Sequence, residues 1–324
     1  DHVVLPGTAV RDQSDPDLNG SRAYILFRCR NLSRQKICVA MNRFGLFILL
    51  ILTLPSVLAD RVIHREKSLY RNILVTQQAE RRCLAFSIKR QRRNQTCMSI
   101  KRPKQIVFPY VRMSFAGLMA KPEPTKMLMI GLGGGTIATT LMELYPDLQM
   151  DLVEVDEAVV KVAREFFNFN PNENANVVIL DGRVFVRRAL RSSRKYDLIV
   201  LDAYNGDYIP EHLMTREFLA DVKRLLAPEG IVIANTFASS RLYDHESVTY
   251  SEVFGQFINF KMPGTDNRVI IAGKDKLPAL DVLRTQADHM IPLLEPYGVD
   301  LSRLLPYLDQ EADWDISARS LTDQ

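Results

Sequence analysis

The sequence predicts an α/β fold in which a doubly wound, mostly parallel sheet carries helices on both faces and follows a small antiparallel β module. Three observations predict it. From Lys126 onward, short apolar runs alternate with amphipathic stretches of helical period, the pattern of a parallel sheet. A glycine cluster, Gly131-Leu132-Gly133-Gly134-Gly135, follows the first of those runs. Ahead of it, residues 63–101 alternate short strand-like runs with polar turns.

The elements follow in order. Strand one spans 127–130, and the helix after it carries Ile137, Leu141, Leu144 and Tyr145 on one face. Strand two covers 150–155 and leads into a helix from 157 to about 167. Strand three is 177–180, ending in Asp181-Gly182, and strand four is 198–201, ending in Asp202. A helix of about 216–226 is expected to stop at Pro228-Glu229-Gly230, before strand five at 231–235. A late strand at 269–272 is expected to run antiparallel to a partner near 257–261. No internal repeat is visible.

Composition narrows the class. With 324 residues, 47% hydrophobic and 25% charged, the chain has ample material for a buried core and no disordered or collagen-like bias. Four cysteines exclude a disulfide-built scaffold. No apolar run reaches the roughly 18–20 residues of a membrane-spanning helix. The net charge of +4 hides an asymmetry: residues 60–104 carry thirteen Lys/Arg against three acids, whereas 105–324 balance to −9. The basic module is either a solvated face or a surface for an anionic partner. No aromatic residues interleave with its Arg pairs, so nucleic acid has no clear support.

Residues 41–59 read as a secretory signal peptide or short anchor: a basic start at Met41-Asn42-Arg43, an apolar run at 46–54, then Ser56-Val57-Leu58-Ala59. Residues 1–40 read as an upstream extension or a disordered segment. The remaining boundaries are a β module at 60–112, a catalytic domain at 113–275 and a helical tail at 276–324, with Trp314 as a packing anchor. Use of the signal would place the protein outside the cytoplasm or in the periplasm; the alternative is cytoplasmic. Export would put Cys83 and Cys97 in an oxidising compartment. A hairpin centred on 89–95 does not set those two opposite each other, so their pairing stays open.

Ligands of parallel α/β sheets bind at the carboxyl ends of the strands. Gly131, Gly133, Gly134 and Gly135 permit close backbone approach to a ligand at a helix N-terminus. Glu154, at the end of strand two, can accept both ribose hydroxyls of a nucleoside. Asp181, with Gly182, stands where an acid faces an adenine amino group, and Asp202 stands at the reactive end. The alternative roles are a structural cap for Glu154 and helix N-caps for the two aspartates. The loop Gly-Leu-Gly-Gly-Gly-Thr lacks the spacing of the dinucleotide fingerprint. The late strand pair also fits a Rossmann-like sheet of the class I methyltransferase type, so an S-adenosyl ligand is favoured over nicotinamide. The five histidines show no metal-ligand spacing. His212 and Glu211, on the loop after Asp202, either line the pocket or form a surface pair, and the surface pair is favoured.

These residues resemble the spermidine/spermine synthase family over roughly residues 62–274. The similarity runs through Met129-Ile130-Gly131-Leu132-Gly133-Gly134-Gly135, Val153-Glu154-Val155-Asp156, Asp181-Gly182 and Tyr196-Asp197-Leu198-Ile199-Val200-Leu201-Asp202. The resemblance implies a β module on a catalytic domain, decarboxylated S-adenosylmethionine as co-substrate with no permanently bound cofactor, a polyamine acceptor and a possible homodimer. Carried over by position, Glu154 would hold ribose, Asp181 adenine and Asp202 the amine being alkylated, with Tyr204, Asn205 and Asp207 contacting the acceptor. The sequence also departs from the family. Gly134 stands where the family carries an Asp, and Asn205 replaces a second carboxylate, for which Asp207 is a candidate substitute. Pro109 and Phe115 occupy positions of an expected Tyr and His, with Tyr110 one step away. Two other readings stay open: an S-adenosylmethionine-dependent methyltransferase, and a nucleoside-binding relative without catalysis.

Overall fold

The computed structural model describes residues 60–88, 91–205 and 208–323. The signal-peptide and upstream-extension expectations, and Asp207, lie outside the described residues. Strands β1 (Arg61–Lys67), β2 (Asn72–Gln78), β3 (Arg81–Ile88) and β4 (Gln91–Ser99) form a four-stranded antiparallel sheet in sequence order. Helix α1 (Pro109–Ser114) starts on a proline, whose fixed φ and missing N–H suit a first turn. Residue 112, the expected module boundary, falls inside it.

The larger sheet has seven strands. In chain order its elements are β5 (Lys126–Ile130), α2 (Thr136–Leu144), β6 (Gln149–Glu154), α3 (Glu157–Phe166), β7 (Ala175–Ile179), α4 (Gly182–Arg191) and β8 (Tyr196–Leu201). They continue with α5 (Arg216–Leu225), β9 (Leu226–Phe237), α6 (Tyr243–Phe254), β10 (Ile258–Lys261) and β11 (Asn267–Gly273). The spatial order is β10-β11-β9-β8-β5-β6-β7, with β11 antiparallel to both β10 and β9 and the other neighbours parallel. Alternating residues serve two cores. Met127 and Met129 of β5, Leu198 and Val200 of β8, and Ile231 and Ile233 of β9 face one layer. Leu128, Ile130, Ile199, Leu201, Val232 and Ala234 face the other. Helices cover both faces, which is why these strands read as continuous apolar runs.

The β module is anchored on α3, where Ile73, Val75, Leu84 and Phe86 pack with Val159, Val162 and Phe167. Burying each such side chain contributes roughly 1.5–3 kcal/mol. The chain turns one way through β5, β6 and β7 and the other way through β8 and β9. The crevice between the ends of β5 and β8 is therefore a topological switch point.

Three expectations need correction. Cys83 and Cys97 are direct register partners and form a disulfide, with Cα atoms 4.0 Å apart. The hairpin centres between Ile88 and Gln91 rather than on 89–95, and a register shift after Leu84 places Thr96 opposite it but Asn94 opposite Ala85, so Gln95 is the extra residue. The break at Pro228-Glu229-Gly230 is not a loop between helix and strand. Strand β9 already begins at Leu226 and takes these residues up as a bulge, pairing Tyr196 with Leu226 and then Leu198 with Ile231. Glu229 adopts φ 56°, and a Cβ on Gly230 would lie 2.9–3.0 Å from the Ala227 and Tyr196 carbonyl oxygens. The C-terminal region is helical only in part: α7 (Leu280–Leu294) and α8 (Leu301–Leu304) are followed by a strap over 309–323. Trp314 anchors that strap by stacking on Phe257 at 5.1 Å. Among the described residues, no helix is long and apolar enough to cross a membrane.

Candidate active site

Parallel strands deliver their carboxyl ends to one edge of the sheet, so the residues following β5, β6, β7 and β8 converge. They line a cavity of about 260 Å³ with Gly131, Gly133, Glu154, Asp181, Gly182, Asp202, Tyr204 and Asn205 on its wall. Gly131 is tied to β6 through Val153 O at 2.8 Å, and Asp202 N donates to Ile130 O at 2.8 Å. A Cβ on Gly131 would lie 2.3 Å from the Asp202 carbonyl oxygen, so only glycine lets the loop run this close to the end of β8. Gly134 and Gly135 turn away from the cavity. Gly134 lies beneath Thr96 of the β module, and Gly135 packs against Phe169 at the N-terminus of α2.

Glu154 is buried, and each of its oxygens holds one backbone amide: Oε2 accepts from Leu132 N at 3.0 Å and Oε1 from Asp156 N at 3.1 Å. It thus pins the glycine loop and the turn after β6 while keeping lone pairs toward the cavity. Burial pushes its carboxyl above the usual range, against the two backbone bonds and the Arg71 charge. Asp181 both caps α4, accepting from Val184 N at 3.0 Å, and lines the cavity.

Asp202 is strongly perturbed. Its Oδ1 accepts from Asn235 Nδ2 at 2.8 Å, and Oδ2 accepts from the Tyr110 hydroxyl at 3.2 Å. Burial pushes its carboxyl up to about 7, and the nearby Glu154 charge adds to this, while the two hydrogen bonds oppose it. Tyr110 is raised well above 10, first by burial and then by the Asp202 charge, so it stays a proton donor. Tyr204 extends inward, its ring edge-on to Phe237 at 5.1 Å, and its buried hydroxyl has no hydrogen-bond partner among the described residues. Asn205 is held by Tyr208, its amide N donating to the Tyr208 carbonyl at 2.9 Å.

Several wall residues escaped the sequence reading. For His212 the less favoured reading holds: it lines the cavity while its side chain stays half-exposed, with Nε2 2.8 Å from Asp181 Oδ2. The loop after β8 folds back over the end of β7, a contact that linear spacing does not reveal. Asn235, which reaches the site through Asp202 rather than from the wall, had a readable signal as a polar residue closing the apolar run 231–235, the same logic that found Glu154. Arg71 had none, being one of thirteen bases in its segment. Its side chain is 6% exposed, with the guanidinium 4.3 Å from the Phe86 ring centre. Nη1 donates to Tyr204 O at 3.0 Å, and Nε lies 3.6 Å from Asp156 Oδ2, which also accepts from Ser68 Oγ at 2.6 Å. The β1–β2 turn therefore closes one side of the cavity. Gln95, exposed to the cavity by the β4 bulge, and Phe86 line it too.

Among the described residues, no cluster of three His, Cys, Asp or Glu is arranged to hold a metal ion. The arrangement can seat a nucleoside along Glu154 and Asp181 and present a carboxyl with a pKa of about 7 to a reacting group.

Comparison with known proteins gives a consistent set of similarities. Residues 111–264 match the description "Spermine/spermidine synthase domain". A polyamine aminopropyltransferase of Vibrio vulnificus is 46% identical over 291 residues, covering 88% of this chain and 97% of that protein. A probable spermidine synthase from Corynebacterium glutamicum superimposes with TM-score 0.63 at 19% identity, covering 82% of this chain and 97% of that one. A spermidine synthase in complex with the transition-state analogue AdoDATO gives 0.54 at 19% identity, covering 79% and 82%. At these identities the two structures speak to the fold alone.

Proposed function

This chain belongs to the spermine/spermidine synthase family, and on that premise we propose that it is a polyamine aminopropyltransferase using decarboxylated S-adenosylmethionine as co-substrate. The observation that carries the reading is the joint placement of Glu154, Asp181 and Asp202 on one cavity wall with the glycine loop between them. The adenine lies toward Asp181, the ribose hydroxyls on Glu154, and the sulfonium near Asp202.

The chemistry follows from charge. An alkyl ammonium has a reference pKa near ~10.4 and no free lone pair. Asp202 attracts the cation by charge and accepts its proton as the lone pair attacks the carbon next to sulfur. The new C–N bond forms as the C–S bond breaks, and the sulfur leaves with that electron pair as methylthioadenosine. A base pushed up to about 7 is far better matched to this task than an exposed carboxylate. Tyr110 and Asn235 hold both oxygens of Asp202 in place, so the carboxylate meets the amine in one orientation.

One observation favours methyl transfer as a second reading. Gly134 carries no carboxylate for the donor's amino group, and Thr96 fills the space above it. Calorimetric titration with methylthioadenosine, S-adenosylhomocysteine and decarboxylated S-adenosylmethionine separates the two. Preference for the first and third is the expected result; preference for S-adenosylhomocysteine moves the assignment to methyl transfer, and binding of none removes both. The Cys83–Cys97 disulfide supports residence in an oxidising compartment, as export would provide. Fractionation with antibody against the chain tests that placement.

A further inference from the structure

The strap that follows α8 has no regular helix or strand, turns at 315–318 and is tied down at several points. Asn259 N donates to Asp309 O at 2.7 Å, and Asp313 Oδ1 accepts from Tyr243 Oη at 2.6 Å. His245 Nδ1 bonds Arg319 O at 2.7 Å, and Leu321 N donates to Thr249 Oγ1 at 2.8 Å. The strap then reaches the start of α5, where Arg216 N donates to Leu321 O at 2.7 Å and Asp323 N to Glu217 Oε2 at 2.9 Å. The Asp323 carboxylate forms a two-pronged ion pair with Arg183, through Nη1 at 2.7 Å and through Nη2.

Arg183 is the second residue of α4, two positions after Asp181. The same Nη1 that meets Asp323 also donates to His212 O at 3.1 Å and approaches Thr215 Oγ1 at 3.5 Å. His212 in turn places Nε2 on Asp181 Oδ2. Both Asp181 oxygens are therefore engaged, one by the Val184 amide and one by His212. Pro210, His212 and Leu213 line the cavity beside Asp181. Among the described residues, every hydrogen bond from 209–214 to a residue outside that segment goes to Asp181 or Arg183. Met214 is buried and Leu213 packs on the core at the far end of this segment, so the polar ties that set the exposed His212 are those to Asp181 and Arg183.

We infer that the strap positions the adenine wall of the cavity through the relay Asp323–Arg183–His212–Asp181, with Asp323 and Arg183 acting as positioning residues. The relay rests on the nucleoside-donor reading for its consequence, but its mechanical part stands on the unliganded protein. A carboxylate gripping both guanidinium nitrogens fixes the plane of Arg183. That plane fixes the His212 carbonyl, and with it the imidazole on Asp181, against which the purine edge must settle.

The test compares the full chain with its Asp323→Ala, Asp323→Glu and Arg183→Met variants by two independent measurements. Amide hydrogen exchange over 208–215 without ligand reads the relay directly. Methylthioadenosine titration, with steady-state kinetics, reads its consequence. Asp323→Ala and Arg183→Met are expected to speed exchange at His212, Leu213 and Met214. They should also weaken nucleoside binding about two- to fivefold, the range of a partly exposed ion pair. The effect should fall on the donor KM rather than kcat, and Asp323→Glu should restore most of it. Unchanged exchange in both Asp323→Ala and Arg183→Met overturns the relay. A fall in Tm with nucleoside affinity unchanged reduces the strap to a stabilising element and also overturns it. Failure of the wild-type chain to bind methylthioadenosine sinks the donor reading, while the exchange result still decides the relay.

Discussion

The Tyr110 hydroxyl donates to Asp202 Oδ2 across 3.2 Å from a helix 92 residues upstream, and Asn235 holds the other oxygen at 2.8 Å. A half-buried carboxyl held at both oxygens is fixed in direction, and its surroundings push its pKa up to about 7. Tyr110 is one position away from where the family resemblance put the tyrosine. The helix it rides, α1, still turns its hydroxyl onto the acid.

Asp202→Asn keeps the shape and both neighbours but removes the base. Turnover should fall by roughly 10²–10⁴, the usual contribution of a positioned base. Methylthioadenosine affinity should stay near wild type, since the proposed nucleoside contacts are Glu154 and Asp181. Full activity in this variant would remove Asp202 from the mechanism.

The pH dependence has a definite sign. Asp202 must be ionised to accept a proton, so kcat/KM should fall as pH drops through about 7. Tyr110→Phe removes a hydrogen bond that favours the charged form, so its acid limb should move to higher pH. For stability the direction is opposite to that of a surface acid. The folded pKa lies above the unfolded value, so the benefit of the neutral carboxyl is complete below about 4 and lost as pH rises through 7. Asp202→Asn should therefore raise Tm at pH 8 and show little gain at pH 4; equal shifts at both would contradict it.

Arg71 spans the cavity mouth, from Asp156 to the Tyr204 carbonyl. Replacing it by Ala leaves that carbonyl and part of Asp156 without a partner. Donor KM should rise by about tenfold with a smaller change in kcat, and Arg71→Lys should recover only part, because an ammonium lacks the planar fork. Steady-state kinetics with each substrate varied in turn separates these effects.

Gly134 is held under Thr96, whose Cγ2 would lie 2.3 Å from a new Cβ. Gly134→Ala should lower Tm by several degrees, because backbone and β4 cannot both keep their places. Adding Thr96→Ser removes the clashing methyl and should return part of the loss. An additive double variant would mean that the β module yields freely there.

The Cys83–Cys97 bridge closes a 14-residue separation, for which a stabilisation of about 2–4 kcal/mol is usual. Non-reducing peptide mapping should find the two cysteines linked. Reductant should lower the wild-type Tm toward that of Cys83→Ser/Cys97→Ser and leave the double variant unmoved.

The sheet was legible in the sequence because its strands are buried on both faces and its helices are amphipathic, so each element announces itself locally. The same holds for Glu154, Asp181 and Asp202. A polar residue closing an apolar strand has a position dictated by the strand, and parallel strands bring such ends together. What sequence could not decide is everything set by register and by return of the chain. One extra residue at Gln95 turned a mismatched hairpin into a disulfide, since register propagates from the turn rather than from the cysteines. Arg71, Tyr110 and His212 reach the cavity from the β module, from α1 and from the loop after β8. Their side-chain types were visible throughout. Only tertiary packing, which joins segments far apart in the chain, determined which of many bases and tyrosines would face the ligand.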